Sequence, residues 1–528
     1  MNSVTEVKGE DLMSTLYHNA TVLTMDATVG AVDALLVEGG RFVAVGDEAL
    51  VRGRSATRID LEGRTVVPGM IDAHTHVETG ALALQRWIDI RDNDVPAALE
   101  IIRARMRGIP AGEWIVVQAT FDDEWLSRAA LDGIAPDNPV VVRVSMHVQI
   151  ANTVALRLAG LFENKHDRDG TVVMRRRGGE PTGVLLEAFH LFPIPMPPEG
   201  ELSDIIARSL REQFNRYGVT SVYEVPLGLE GMHAFQALER AGRLTARVAL
   251  TPAVMPGLHP VLASIEQWST FGLKSGFGSD MLWLGGAKFF LDGAGDAAFK
   301  VLRDIDHPGR WGALTHRFSE ITNIVLTAFE SDIHLWIHAL GPDAQKLALD
   351  AVIEARYRFP GEPKVGVRIE HIGNDHFDWG LIAHMREAKV TPVPTAGFIH
   401  VDDGSGIWPF RTLLEEGFRP PANSDNAGTQ PFATNPWFGI GKMRTRTTKR
   451  GVKLGYEDEQ VQVLDAIRMY TEFGAIVGTK ADSLGTITPG KLADFAVLTE
   501  DPLQVADEEL ESIESVLTVV GGKEVWSA

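Results

Sequence analysis

Residues 66–77 read VVPGMIDAHTHV and place two histidines one residue apart, directly after an apolar run. In an extended strand alternate side chains point to the same face, so His74 and His76 share a face with Asp72. Neutral imidazoles are the commonest protein ligands for zinc-like ions. Because neighbouring histidines also occur by chance, a metal site requires further ligands from the rest of the chain.

The composition of the chain excludes several classes of function. Its 528 residues contain no cysteine, which removes disulfides, thiolate nucleophiles and cysteine metal ligands. The formal net charge of -21 argues against nucleic acid and anionic membrane surfaces, since both are bound through Lys and Arg. The N-terminal segment lacks a signal-peptide pattern, and no apolar run reaches the roughly 18–20 residues of a membrane span. We therefore expect a cytoplasmic protein.

Both ends of the chain are β-rich. Short runs of β-branched and apolar residues, separated by Gly and Asp turns, fill the first part of the chain, and similar runs close it. Because the termini of a domain often lie close together, these ends predict one composite β-sandwich domain made of residues 1–68 and 477–528. Two unrelated β appendages are the alternative.

The centre of the chain alternates helical and strand-like patterns. Helical-period stretches, such as those at 319–332 and 343–359, are each followed by a short strand-like run. This alternation over residues 69–476 predicts an α/β fold with βαβ units and a (β/α)8 TIM-type barrel. The segment from about residue 80 to 200 is too long for one strand-to-helix connection. It therefore predicts a subdomain inserted after the first barrel strand, over the barrel mouth.

Four further side chains with useful chemistry lie at or near predicted strand ends. His338 and His371 each close an apolar strand, Asp425 follows a short extended segment, and Lys288 lies in an otherwise apolar strand. Singly, each has an ordinary explanation, such as a turn at Asp425 or an ion pair between Lys288 and Asp292. Together they predict a metal site, because the carboxyl ends of barrel strands converge.

These motifs resemble the amidohydrolase superfamily, in its amidohydrolase 3 branch. The resemblance is carried by PGMIDAHTH, AKFFLDGAGD, IHALG, RIEH and NSD, together with GEPTGVLLEA at 179–188 and the closing GTITPGKLADFAVL. The motifs follow the order expected of that family and extend from about residue 15 to the end of the chain. The resemblance implies a metal-bearing barrel and a single sandwich built from the flanking β segments.

The resemblance also implies a set of site residues. The implied metal ligands are His74, His76, Lys288, His338, His371 and Asp425. Lys288 would be N-carboxylated and bridge two metals, and Asp425 would be the catalytic residue that takes a proton and returns it to the leaving nitrogen. His147 is a candidate substrate contact, with an ordinary polar residue of the insertion as the alternative. Glu370 and Asp72 are candidates for orienting the imidazoles.

The predicted function is hydrolysis of a non-peptide or modified amide C–N bond in a small molecule by metal-activated hydroxide. The predicted cofactor is Zn²⁺, one or two per chain, because His and carboxylate ligands suit it and redox chemistry is not required. One alternative is a mononuclear deaminase of a ring amidine, which would not use the lysine bridge. A second is a non-catalytic amidohydrolase-like scaffold. The resemblance further implies a homo-oligomer, specifically a dimer.

Overall fold

The computed structural model of the chain describes residues 14–120, 126–163, 171–253, 265–293, 314–374 and 377–528. Residues 1–13 of the predicted terminal β domain lie outside the described residues. The strands are β1 Ser14–Leu23, β2 Ala31–Glu38, β3 Arg41–Val45, β4 Thr57–Asp60, β5 Thr65–Pro68, β6 Met70–Thr75, β7 Ile88–Asp89, β8 Ile115–Ala119, β9 Val140–Val144, β10 Val148–Ala151, β11 Val172–Arg175, β12 Pro181–Leu186, β13 Val219–Glu224, β14 Arg247–Leu250, β15 Leu282–Leu284, β16 Ala287–Phe290, β17 Leu335–His338, β18 Val367–Glu370, β19 Thr391–Val393, β20 Phe495–Leu498, β21 Ser515–Val520 and β22 Lys523–Ser527.

The helices alternate with the strands through the centre of the chain. They are α1 Gly46–Arg52, α2 Val77–Gln85, α3 Val95–Met106, α4 Arg128–Ile134, α5 Thr153–Leu158, α6 Glu199–Ser209, α7 Leu229–Arg240, α8 Ile265–Thr270, α9 Phe318–Glu330, α10 Pro342–Arg358, α11 Leu381–Ala388, α12 Phe410–Glu415, α13 Pro436–Thr445, α14 Val463–Met469 and α15 Glu472–Val477. The mixed α/β class is confirmed, and so are the two helices predicted at 319–332 and 343–359, which are α9 and α10.

Strands from both ends of the chain form one eight-stranded sheet. Its order is β22-β21-β20-β5-β1-β2-β3, with β4 beside β1. β20 pairs antiparallel with β5, which joins the C-terminal segment directly to the N-terminal one. The two-residue turn between β2 and β3 is Gly39–Gly40, with φ of 57° and 77°. A type I′ hairpin needs positive φ at both positions, and glycine adopts it without strain. That this sheet belongs to a sandwich stays a prediction.

A separate six-stranded sheet lies within the region predicted as an insertion. Its order is β11-β12-β10-β9-β8-β7, and it follows β6 and precedes β13 in the chain. β7, β8 and β9 are parallel, whereas β9, β10, β12 and β11 pair antiparallel. β9 reads VVVRV and is buried throughout, as a central strand covered on both faces would be. The boundaries of the inserted subdomain stay predictions.

Two four-stranded parallel sheets form the centre of the molecule. Their orders are β15-β14-β13-β6 and β16-β17-β18-β19. Only Gly285 and Gly286 separate β15 from β16, and Ala253, just beyond β14, forms a parallel bridge with Lys288 in β16. At the other edge Ala73 N of β6 donates to Ala422 O at 3.2 Å. The two sheets are therefore neighbours, while closure into a barrel stays a prediction.

Apolar helix faces cover the parallel strands. One core cluster packs α9, α10 and α11 on β16–β18, with Phe329, Leu349 and Met385 among its buried members. A second cluster packs α2, α6 and α7 against β6, β13 and β14. None of the described helices has both the length and the apolar character needed to cross a membrane.

Candidate metal centre

The two histidines of the opening motif stand at the carboxyl end of β6. His74 is the fifth residue of the strand, and His76 follows the strand as the N-cap of α2. Both imidazoles are buried, and their ring centroids lie 5.4 Å apart. The side-by-side placement that strand alternation predicts is confirmed.

Asp425 reaches these histidines from a segment without regular secondary structure. Its backbone N donates to His74 O at 2.9 Å. Its φ of 43° is in the left-handed region, which non-glycine residues seldom occupy. One carboxylate oxygen lies 3.4 Å from His76 Nε2. The candidate ligand atoms of His74, His76 and Asp425 all lie within 4.8 Å of one another, so these three buried side chains could hold a metal ion.

The remaining predicted ligands surround this group from the second parallel sheet. Lys288 Nζ lies 3.5 Å from His74 Nε2, and His371 Nε2 lies 3.9 Å from Asp425 Oδ2. The ring of His338 lies 4.6 Å from that of His371. All are buried. The structure thus brings the six predicted ligands into one cluster, although their ligand roles stay predictions.

Hydrogen bonds orient the first two imidazoles. His74 Nδ1 donates to the Glu370 carboxylate at 2.6 Å, and His76 Nδ1 donates to Val225 O at 3.1 Å. Arg368 donates to both oxygens of Glu370, at 2.8 and 2.9 Å. Because each Nδ1 carries the proton, each Nε2 keeps its lone pair for the centre of the cluster, as metal-binding histidines do.

The protonation states of the cluster suit a cation. Burial lowers the pKa of His74 well below its usual value and the pKa of His371 to about 4. Burial also lowers the pKa of Lys288 to about 8. Burial alone would raise the pKa of Asp425, but its contacts with His76 and the other nearby imidazoles hold it below its usual range. Neutral imidazoles beside an ionised carboxylate are the forms that bind metal.

His338 supplies an independent test of whether a metal fits. Its Nδ1 is buried and has no hydrogen-bond partner within the described residues, while Nε2 lies 3.2 Å from Gly293 O. A buried nitrogen without a partner costs free energy, so such atoms in native proteins usually have a reason. A metal ion bound in the cluster would give this nitrogen a partner, and the donor set therefore fits a divalent metal.

His147 faces the cluster from the inserted sheet. It lies between β9 and β10, and its ring is 4.5 Å from that of His338. Its Nδ1 lies 2.9 Å from a carboxylate oxygen of Glu187, which follows β12. Burial alone would lower the pKa of His147, but the Glu187 carboxylate raises it above its usual value. The structure places His147 beside the predicted ligands, and its contact with substrate stays a prediction.

Comparison with known proteins identifies the family. The model of the Amidohydrolase family matches residues 57–526. The chain belongs to the amidohydrolase family. It is 29% identical to N-substituted formamide deformylase of Arthrobacter pascens, over 96% of each chain. It is 25% identical to the putative amidohydrolase YtcJ of Bacillus subtilis (strain 168), over 97% of this chain and 99% of YtcJ.

Solved structures share the amidohydrolase fold. An uncharacterized metal-dependent hydrolase from Pyrococcus horikoshii OT3 superposes with a TM-score of 0.72 and 24% identity, over 94% of this chain and 99% of that one. A triazine hydrolase variant superposes with a TM-score of 0.57 and 16% identity, over 98% of this chain and 95% of that one. The chain is a hydrolase of carbon–nitrogen bonds other than peptide bonds. Its family and the His74–His76–Asp425 cluster support a bound metal.

Sequence reasoning assigned no role in this amidohydrolase site to three residues, and it considered Asp292 only as an ion-pair partner of Lys288. Glu187 lies in the GEPTGVLLEA motif and Arg368 in RIEH, but no local sequence pattern identifies their partners. Asp292 Oδ1 lies 3.7 Å from His338 Nε2 and accepts the backbone N–H of Leu340 at 3.0 Å. Its position in AKFFLDGAGD, beside a predicted ligand strand, was the available signal.

The two residues predicted to orient imidazoles differ in outcome. Glu370 does contact an imidazole, that of His74. Asp72 accepts the backbone N–H of Ser424 at 2.9 Å and that of His74 at 3.5 Å. Asp72 therefore positions the backbone that carries Asp425, because that backbone runs beside β6 and brings its N–H groups within reach.

Proposed function

We propose that this chain is a metal-dependent amidohydrolase that cleaves a non-peptide or modified amide bond of a small molecule. One observation carries the proposal: six side chains from five separate stretches of sequence share one buried cluster. The similarity to N-substituted formamide deformylase supports an amide as the substrate class.

The proposal includes the barrel and the domain division. We infer that β6, β13, β14, β15 with β16, β17, β18, β19 and the segment at 421–425 form a (β/α)8 barrel within residues 69–476. The parallel bridge between Ala253 and Lys288 and the bond from Ala73 N to Ala422 O support closure. Residues 1–68 and 477–528 would form the composite sandwich, and residues from about 80 to 200 the inserted subdomain.

Each candidate ligand has a place in the proposed metal centre. His74 and His76 would hold one metal ion, His338 and His371 a second, and Asp425 would complete the ligand set. Zinc suits these donors, since it is commonly bound by imidazole and carboxylate and needs no redox change. When bound, such ions lower the pKa of water and polarise a substrate carbonyl.

Lys288 would enter the ligand set only after carboxylation. Its amine is a cation at neutral pH in water, but burial lowers the pKa of Lys288 to about 8 and raises the fraction of neutral amine. The neutral nitrogen attacks carbon dioxide, forms a C–N bond and loses one proton to water. The resulting carbamate has two oxygens that share one negative charge, which suits a bridge between metal ions.

Asp425 would transfer the proton, and His147 would contact the substrate. Its pKa below the usual range keeps Asp425 ionised, and its place beside His74 and His76 would let this carboxylate take a proton from water and pass it to the leaving nitrogen. His147 Nδ1 is engaged by Glu187, so its Nε2 remains for a substrate oxygen. A ring-amidine deaminase with one metal is the alternative within the family, and the place of Lys288 in the cluster favours the amidase.

Metal analysis and a substrate survey test this proposal. We expect purified protein to hold one or two zinc ions per chain and to hydrolyse an amide, N-substituted formamide or carbamate until a chelator removes the metal. If the protein held one metal ion and hydrolysed only a ring amidine, the deaminase alternative would be established instead. Metal-free protein without turnover on any compound would establish the scaffold.

Lys288→Ala tests the bridge, with Lys346→Ala as a matched control on the surface of α10. We expect metal content and activity to fall together in Lys288→Ala only, because Lys346 is exposed and pairs with Asp350 at 2.5 Å. Protein equilibrated with ¹³C-labelled bicarbonate should give a carbamate NMR signal that the variant lacks. Full activity and unchanged metal content in Lys288→Ala would show that Lys288 does not bridge metal ions. The dimer and the cytoplasmic location also stay predictions.

A further inference from the structure

The loop that follows Asp425 is buried yet has no helix or strand to satisfy its backbone. All residues at 421–430 are buried. A buried carbonyl without a hydrogen bond is costly, so each carbonyl here needs a partner. Gly428 N and Thr429 N both donate to Asp425 O, at 2.9 and 3.0 Å, which closes a tight turn. The carbonyls within this turn take their partners from outside the loop.

Three side chains of the inserted region supply those partners to consecutive carbonyls at 426–428. Arg91 Nη1 donates to the first at 2.5 Å, Gln118 Nε2 to the second at 3.0 Å and Thr120 Oγ1 to the third at 2.5 Å. All three donors are buried. A run of three carbonyls met by three separate side chains indicates a built contact between the inserted sheet and the loop.

The donors are themselves held in place. Asp89 accepts from Arg91 Nε at 3.0 Å and from Nη2 at 2.7 Å, a fork that leaves Nη1 for the loop. Asp89 on β7 is in register with Gln118 on β8, and Arg91 and Thr120 directly follow these two adjacent strands. The Arg91 side chain is 1% exposed, so water does not compete for these bonds.

The loop in turn touches two of the proposed ligands. Asn426 Oδ1 accepts the backbone N–H of His76 at 2.7 Å. A Cβ atom placed on Gly428 would lie 3.2 Å from Asp425 Oδ2, so the loop backbone lies against the carboxylate. Asp425 has a positive φ, and a residue in that region persists only where its surroundings hold it.

We propose that Arg91, Gln118 and Thr120 form an insertion clamp that positions the Asp425 carboxylate. Its effect on catalysis rests on the proposed function, because the clamp residues act through Asp425 and the loop. Loosening the clamp lets the carboxylate take several orientations, which weakens metal binding and slows the chemical step. Substrate binding changes little, since the clamp bonds are made to the loop backbone.

Matched variants of one hydroxyl test the clamp. Thr120→Val removes the donor at nearly constant shape, and Thr120→Ser keeps it. Thr153→Val is the control, because it also removes a hydroxyl donor, whose bond goes at 2.7 Å to the Asp132 carboxylate elsewhere in the inserted region. The measurements are zinc affinity by competition with a chelator, the absorption spectrum of the Co²⁺-loaded protein, and kcat and KM.

We expect Thr120→Val to bind zinc about 10–100-fold more weakly and to show an altered cobalt spectrum. Its kcat should fall while KM stays within about twofold of the unmodified protein. Thr120→Ser should recover most of the loss, and Thr153→Val should behave as the unmodified protein in every measurement. Gln118→Met should reproduce the effect, and it replaces Thr120→Val if that variant does not fold.

Two failures of the experiment are distinguishable. Unmodified protein that takes up no zinc overturns the proposed function itself. Zinc-binding protein whose Thr120→Val and Gln118→Met variants keep full zinc affinity and the same cobalt spectrum overturns the clamp alone. Weakened zinc affinity in Thr153→Val as large as that in Thr120→Val also overturns it, since the effect would then be general destabilisation.

Discussion

The two ends of the parallel strands differ in chemistry although they belong to the same strands. At the carboxyl ends of β6, β16, β17 and β18, buried His, Lys and carboxylate groups converge on one cluster. At the amino ends of β6, β13 and β14, the strands meet the eight-stranded sheet built from both chain ends. Both ends bury ionisable groups, and what distinguishes them is how completely the ionisable groups named below are paired.

At the amino ends the buried charges pair with each other. Arg247, the first residue of β14, donates to both oxygens of Asp494 at 2.7 and 2.8 Å. Asp494 also accepts the backbone N–H of Gly521 at 2.7 Å, and its own backbone O accepts from Gly69 N at 2.9 Å. A charge pair with this many partners holds the eight-stranded sheet against the parallel strands.

At the carboxyl ends the pairing is incomplete. His338 Nδ1 is buried without a hydrogen-bond partner in the part of the chain that the structure describes. Burial also lowers the pKa values of Lys288 and His371 from their usual values, so that neutral nitrogens accumulate there. The unpartnered ring nitrogen and the neutral amine mark the carboxyl end of the strands as the end suited to a metal ion, in agreement with the general position of active sites in such folds.

The strongest test of the carboxyl end is Asp425→Asn. The amide keeps the shape of the side chain but loses the negative charge and the proton acceptor. We expect kcat to fall by about 10²–10⁴-fold, with the urea-unfolding free energy changed by less than about 1 kcal/mol. A kcat within a few-fold of the unmodified protein would contradict the role proposed for this carboxylate.

The corresponding test of the amino end is Arg247→Met. Losing the guanidinium leaves Asp494 buried and unpaired, so we expect the free energy of unfolding to fall by about 3–5 kcal/mol. The kcat of the folded fraction should stay unchanged, because Arg247 lies at the other end of the strand from the cluster. Urea unfolding and steady-state kinetics on the same preparation check both parts. A large loss of kcat in Arg247→Met would contradict the functional distinction between the amino and carboxyl ends of the strands.

Glu370→Gln tests the support beneath the carboxyl-end cluster. The amide can no longer hold His74 through a charged hydrogen bond, so we expect zinc affinity to fall about 10–100-fold. Glu362→Gln is the control, because Glu362 is exposed and its ion pairs with Lys389 and Arg356 involve none of the predicted ligands. Equal zinc affinities in the two variants would show that Glu370 does not position His74.

Arg216→Met should have the smallest effect on stability. It compares an exposed ion pair with the buried pair between Arg247 and Asp494. Arg216 pairs with Glu514 at 2.6 Å, but the two side chains are 43% and 34% exposed. Water competes with such a pair, so we expect the unfolding free energy to change by less than about 1 kcal/mol. Urea unfolding beside Arg247→Met measures how much burial contributes. An equal loss of unfolding free energy in Arg216→Met and Arg247→Met would show that burial does not determine how much these ion pairs stabilise the fold.

Local sequence patterns are enough to identify the candidate residues. Strand alternation depends on backbone dihedrals alone, so it correctly places His74 and His76 together. The same local periodicity predicts α9 and α10, and an apolar strand interrupted by Lys288 identifies an unusual cation. These features lie within single elements, where neighbouring residues decide the outcome.

The partners of these candidates depend on contacts between elements that are distant in the chain. Alternation points Glu370 away from His371, yet both reach the cluster, because His371 has left the strand with a φ of 69°. The bond between His147 and Glu187 joins residues 40 positions apart in the chain, and the insertion clamp joins the six-stranded sheet to the loop after Asp425. Local periodicity cannot encode such contacts, since they depend on how loops close and how whole sheets pack.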